Sequence, residues 1–134
     1  METILEWIYC LKIEKSKIIV EGLKDKKALK SCGVKNLVVL KGPLYKFVED
    51  LSSEREVIIL TDTDYEGRKL YRRLKRDFEM FGVRVNYEYR NFIIKNTNLR
   101  NIEGIKKLIK SYHSKGKINK LLVKNKHYGQ LSRA

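Results

Sequence analysis

Proline occurs once in this chain, at Pro43, and cysteine twice, at Cys10 and Cys32. With so little proline, helices and strands can run unbroken, and no Gly/Ser-rich stretch marks an internal linker. The cysteines sit in apolar-rich stretches without the paired spacing of a zinc site. They exclude a disulfide framework and read as small residues in or near the core of a protein from a reducing cytosol. No apolar run approaches the roughly 18 residues needed to span a bilayer. The opening Met1-Glu2-Thr3 carries an acid early and has no small-residue cleavage site, so a signal peptide is not expected. Together these absences predict a cytoplasmic protein with no membrane partner. At 134 residues the chain is the size of one domain with one hydrophobic core.

Acid is also scarce, and unevenly so. Thirty Lys and Arg face sixteen Asp and Glu, for a net charge of +14. Glu103 is the last acid; after it come Lys106, Lys107, Lys110, Lys115, Lys117, Lys120, Lys124, Lys126 and Arg133. A positive field of this size attracts polyanions, and each phosphate neutralised releases counterions, which makes nucleic acid the natural partner. Charge gathered at one end suggests a binding face rather than general solvation.

Apolar spacing predicts a helix over 3–15 that Thr3 can cap, a strand over 17–21, and a helix over 24–32 closing at Gly33. A second strand follows over 36–40, a turn through Lys41-Gly42-Pro43 with Pro43 suited to the first helical position, and a helix over 44–51. A third strand spans 56–61, and a long basic-faced helix runs from about Asp64 to Met80. A fourth strand is expected over 83–89, with Tyr87 and Tyr89 on opposite sides, and a last helix over 101–112. Short apolar strands alternating with helices predict an α/β fold with a parallel sheet of about four strands flanked by helices on both faces. Ligands of such sheets bind outside the carboxyl ends of the strands.

Acids stand at two of those ends. Strand 17–21 finishes in Glu21, and strand 56–61 runs into Asp62-Thr63-Asp64-Tyr65-Glu66-Gly67. On neighbouring parallel strands these carboxylates converge. Clustered carboxylates raise one another's proton affinity unless a cation neutralises them. A hard dication with oxygen ligands is the obvious partner, magnesium above all. Asp64 alone can equally be a helix cap, and Glu21 an exposed strand-end acid.

Ile18-Ile19-Val20-Glu21-Gly22, together with Ile58-Ile59-Leu60-Thr61-Asp62-Thr63-Asp64-Tyr65-Glu66-Gly67, resembles the Toprim domain, over roughly residues 15–90. The resemblance implies a Rossmann-like Toprim fold, with Glu21 as general acid/base and Asp62 and Asp64 holding Mg2+ or Mn2+. Glu66 stands where only some members carry an acid. Gly42 resembles the turn glycine beside the site. Glu21-Gly22-Leu23-Lys24-Asp25 and Gly67-Arg68-Lys69-Leu70 look most like the maturase ribonucleases of 5S ribosomal RNA and small stand-alone archaeal members. The separate tyrosine-bearing domain of a topoisomerase and the template-binding parts of a primase have no counterpart here.

The expected organisation is thus a Toprim domain over 1–112, including its N-terminal helix, and a basic tail over 113–134. The expected catalytic residues are Glu21, Asp62 and Asp64; the expected metal ligands are Asp62, Asp64, Glu21 and Glu66. Lys24, Lys41, Arg68, Arg72, Lys115, Lys117, Lys120, Lys124 and Lys126 are the candidates for gripping nucleic acid, RNA in preference to DNA. Tyr112 and Tyr128 lie among lysines where they can stack on bases or, equally, pack the tail onto the domain, and His127 lies where it can meet a phosphate. The leading function is a magnesium-dependent endonuclease, or closely related phosphodiester-processing enzyme, on structured RNA; the alternative is a non-catalytic nucleic-acid or ribonucleoprotein binding module working inside a larger assembly with a protein partner.

Overall fold

The computed structural model describes residues 1–114. The elements run α1 (Ile4–Lys12), β1 (Lys17–Val20), α2 (Leu23–Ser31), β2 (Leu37–Val39), α3 (Leu44–Asp50), β3 (Glu56–Leu60), α4 (Tyr65–Met80), β4 (Arg84–Asn86), α5 (Glu88–Asn96), a 3₁₀ turn (Ile102–Gly104) and α6 (Ile105–Ser114). The four strands form one parallel sheet in the order β2-β1-β3-β4.

The apolar strands are explained by what lies on each side of them. Ile18, Val20, Ile58 and Leu60 face a cluster built with α1, α2, α5 and α6 through Trp7, Leu11, Leu29, Phe92, Ile93 and Ile105. Ile19, Val57 and Ile59 face a second cluster completed from α3 and α4 by Phe47, Val48, Leu74 and Phe78. Alternate residues of a strand point to opposite faces. With both faces covered, the buried positions 18–20 and 57–60 are all apolar. The expected α/β architecture is therefore present.

Local chemistry sets the helix ends. Thr3 and Glu6 form a capping box at the start of α1. Gly33, at φ +93, follows the last turn of α2 in a conformation that favours glycine. Pro43 caps α3, one position before the expected one. Cys10 and Cys32 are half-buried against the first cluster.

Two expectations need correction. The fourth strand stops at Asn86 rather than running to residue 89, because Tyr87 turns into the helical region (φ −95, ψ −2) and α5 begins. The Asn86 side chain accepts a hydrogen bond from the Glu88 amide at 3.0 Å and so starts the helix. Tyr89, Phe92 and Ile93 are then buried at helical spacing, with the Trp7 indole N–H donating to the Tyr89 carbonyl at 2.9 Å. The helix expected over 101–112 is a 3₁₀ turn that passes into α6.

Candidate functional site

Register delivers the carboxylates to one rim. Val20 pairs with Leu60 across β1 and β3, so Glu21 leaves its strand beside Thr61 and Asp62. The Asp62 amide donates to Glu21 Oε2 at 2.7 Å. Asp62 Oδ1 accepts from the Ile102 amide at 2.9 Å. Thr63 is tied to the same incoming segment, its amide donating to the Arg100 carbonyl at 2.8 Å and its hydroxyl to that of Leu99 at 2.6 Å. Asp64 caps α4, accepting from the Gly67 amide at 2.8 Å. Gly67 has no room for a side chain, because a Cβ there would collide with the Asp62 carbonyl.

Asp25 and Glu103 join this rim. Asp25 is buried and accepts from the Gly22 amide at 3.0 Å. Burial pushes the Glu21 carboxyl above its ordinary pKa; the hydrogen bond from Asp62 opposes this, and the charges of Asp62, Asp25 and Asp64 add to it. Burial likewise raises Asp25, with the Asp62 and Glu103 charges reinforcing it against the Gly22 bond. Asp62 is raised by burial, against the bond from Ile102 and with help from Asp64 and Glu103. Among the described residues none of these acids has an ion-pair partner.

The nearest compensation comes from behind. Arg90, on α5, is buried and donates from Nε to the Thr61 carbonyl at 3.2 Å and from Nη2 to the Asp62 carbonyl at 2.8 Å. Its guanidinium lies 4.5 Å from the centre of the Tyr71 ring. The turn that carries Asp62 is thus held from three sides: by Glu21, by residues 99–102 and by Arg90.

Residues 16–89 match the sequence profile of the Toprim domain. This chain belongs to the Toprim domain family. A UPF0292 protein of Methanocaldococcus jannaschii is 38% identical over 112 residues, spanning 78% of this chain and 88% of that protein. One from Thermococcus gammatolerans is 34% identical over 110 residues, spanning 81% of this chain and 82% of that protein. A solved structure of a protein from Aquifex aeolicus superposes with a TM-score of 0.71 at 34% identity, covering 77% of this chain and 98% of that one. The family is shown at the level of the Toprim domain; the narrower likeness to 5S ribosomal RNA maturases stays a resemblance of the sequence alone.

Toprim domains are generally associated with Mg2+, so the donor set bears testing. The oxygens are of the right kind, since magnesium takes carboxylates and keeps waters. Their placement is another matter. Glu21, Asp62 and Asp64 each commit one oxygen to a backbone amide. Among the described residues no three His, Cys, Asp or Glu side chains come together to hold a metal ion. Glu66 is exposed on the first turn of α4 and is not among the largest influences on Glu21, Asp25 or Asp62.

The basic candidates divide. Lys24, Lys41 and Arg68 are exposed on the turns and first helical turns that border the rim, and Arg72 is exposed one turn further along α4. Tyr112 is half-buried against the first cluster, as a packing residue, and His113 is exposed. Lys115, Lys117, Lys120, Lys124, Lys126, His127 and Tyr128 lie outside the described residues. No helix among the described residues is long and apolar enough to cross a membrane.

Sequence reasoning passed over Arg90 and the part played by Asp25 and Glu103. Arg90 was hidden by the strand expected through residue 89. The Gly22-to-Asp25 spacing, with an acid three residues after a cap, was the available signal for Asp25.

Proposed function

We propose that this Toprim protein is a nucleic-acid-binding module that acts within a larger assembly, RNA being the favoured partner. The observation that carries this is electrostatic: a chain of net charge +14 gathers Glu21, Asp25, Asp62, Asp64 and Glu103 at one rim and borders it with exposed cations. Lys24, Lys41, Arg68 and Arg72 would hold phosphates, together with the lysines of the basic tail. Phosphate contacts of this kind position a strand without reading its sequence.

A second reading, a magnesium-dependent endonuclease, is favoured by the raised proton affinity of Glu21. A group so tuned is suited to general acid/base work. In that reading Asp62 and Asp64 would hold Mg2+, with water and phosphate oxygens completing its shell, and the ion would stabilise charge developing on the phosphate. Glu66 would stand outside.

Fluorescence anisotropy and a cleavage time course on labelled structured RNA, with and without magnesium, test both. Binding without cleavage supports the module. Magnesium-dependent cleavage lost in Asp62→Asn supports the enzyme. Absence of binding at low salt overturns both.

A further inference from the structure

Apart from the carboxylate rim, the described residues form a cleft of about 280 Å³ between α4 and α5, lined by Tyr71, Lys75, Tyr87, Arg90, Asn91 and Ile94. Its lining holds two cations, Lys75, which pairs with Glu79 at 3.1 Å, and Arg90. Arg90 is 5% exposed, yet among the described residues it has no ion pair. Two of its N–H groups are spent on neutral carbonyls; Arg68 adds positive charge beside it, while Glu21 and Asp62 offset it from the rim. Its remaining N–H groups can still donate to a phosphate oxygen. Beside it Tyr87 is 58% exposed and caps α5 by its backbone alone, with no capping bond from its side chain. Its ring is therefore open to stacking.

We propose that this cleft is a subsite for one unpaired nucleotide, its base against Tyr87 and its phosphate on the side of Arg90 and Arg68. The proposal rests on the nucleic-acid reading above and adds the kind of strand. The volume lies just below that of clefts that hold drug-sized ligands, roughly 300–1,000 Å³, with room for a base but not for a stacked pair. A base can enter only if it is free of a duplex, since unstacked bases are what aromatic side chains and arginine planes can reach. Arg90 joins the two places: the guanidinium that lines the cleft also holds the Thr61 and Asp62 carbonyls. A nucleotide seated here would have its neighbouring phosphodiester beside the carboxylate rim.

The test measures binding by anisotropy to three labelled probes: a 12-nucleotide thymidine strand, an abasic strand of equal length and charge, and a 12-base-pair duplex. Stacking of one base corresponds to roughly 5- to 150-fold in affinity. The thymidine strand should bind tighter than the abasic one by a factor in that range. Tyr87→Ala should erase that difference while leaving abasic binding unchanged, and Tyr87→Phe should keep it. A difference that survives Tyr87→Ala, or an equal loss on both single strands, overturns the subsite. Preference for duplex with no effect of Tyr87 also overturns it and leaves the nucleic-acid reading standing. No binding to any probe overturns the subsite, and the structured-RNA binding assay then decides the nucleic-acid reading separately.

Discussion

The backbone amide of Asp62 donates to the carboxylate of Glu21 at 2.7 Å across 41 residues of sequence. The bond fixes the two acids as one unit. It also sets a conflict, because the hydrogen bond favours the charged form of Glu21 while burial and the neighbouring acids oppose it. Burial wins, and the rim holds protons more tightly than the same residues would in an unfolded chain.

That balance predicts a pH dependence. Glu21, Asp25 and Asp62 are all raised. Their contribution to stability is fully present below the unfolded values of about 4 and is lost as pH rises through the folded ones. Asp62→Asn keeps an oxygen for the Ile102 amide and removes the charge. In metal-free buffer its melting temperature, relative to wild type, should rise between pH 4 and pH 7 and be equal or higher at pH 7. Scanning fluorimetry across that range decides it; a large loss at pH 7 would make the Asp62 charge structural.

Gly67 predicts a steric effect. Gly67→Ala drives a methyl into the Asp62 carbonyl, and overpacking of this sort costs about 1–3 kcal/mol. Urea unfolding should show that loss. A change under about 0.5 kcal/mol would mean the turn yields freely.

Arg90 predicts a coupling. Arg90→Met removes the donors to the Thr61 and Asp62 carbonyls, and leaving buried acceptors unsatisfied costs about 1–3 kcal/mol each. It also strips the rim of its rear positive charge. Asp62→Asn should therefore recover part of the loss. Strict additivity in the double-mutant cycle would show that Arg90 serves the backbone alone.

The basic tail predicts a salt effect. Deleting residues 115–134 removes Lys115, Lys117, Lys120, Lys124, Lys126 and Arg133. Each lost phosphate contact should lower the slope of log affinity against log salt by about 0.7–0.9. Glu21→Gln should leave that slope nearly intact. An undiminished slope in the truncated protein would shift the grip to Arg68 and Arg72.

The strands and their terminal acids were legible in the sequence because both faces of the sheet are covered, which forces continuous apolar runs and makes the first acid after each run conspicuous. The segment after β4 was not. Tyr87-Glu88-Tyr89 alternates as a strand would, and only tertiary contacts decide otherwise: Tyr89 is needed under Trp7, which only a helix starting at Glu88 supplies. Arg90 was lost with that misreading. Asp62 as a rim acid could be read from its position, but its anchorage to Ile102 could not, because nothing local in either stretch announces a bond across 40 residues.

The pairing of Val20 with Leu60 has a consequence for how the site can fail. A slip of β3 by one residue would turn Ile59 toward the first core and Leu60 toward the second, and would carry Asp62 away from Glu21 in the same movement. Chemistry and packing therefore share one parity. A one-residue slip thus damages the core and parts the acids together.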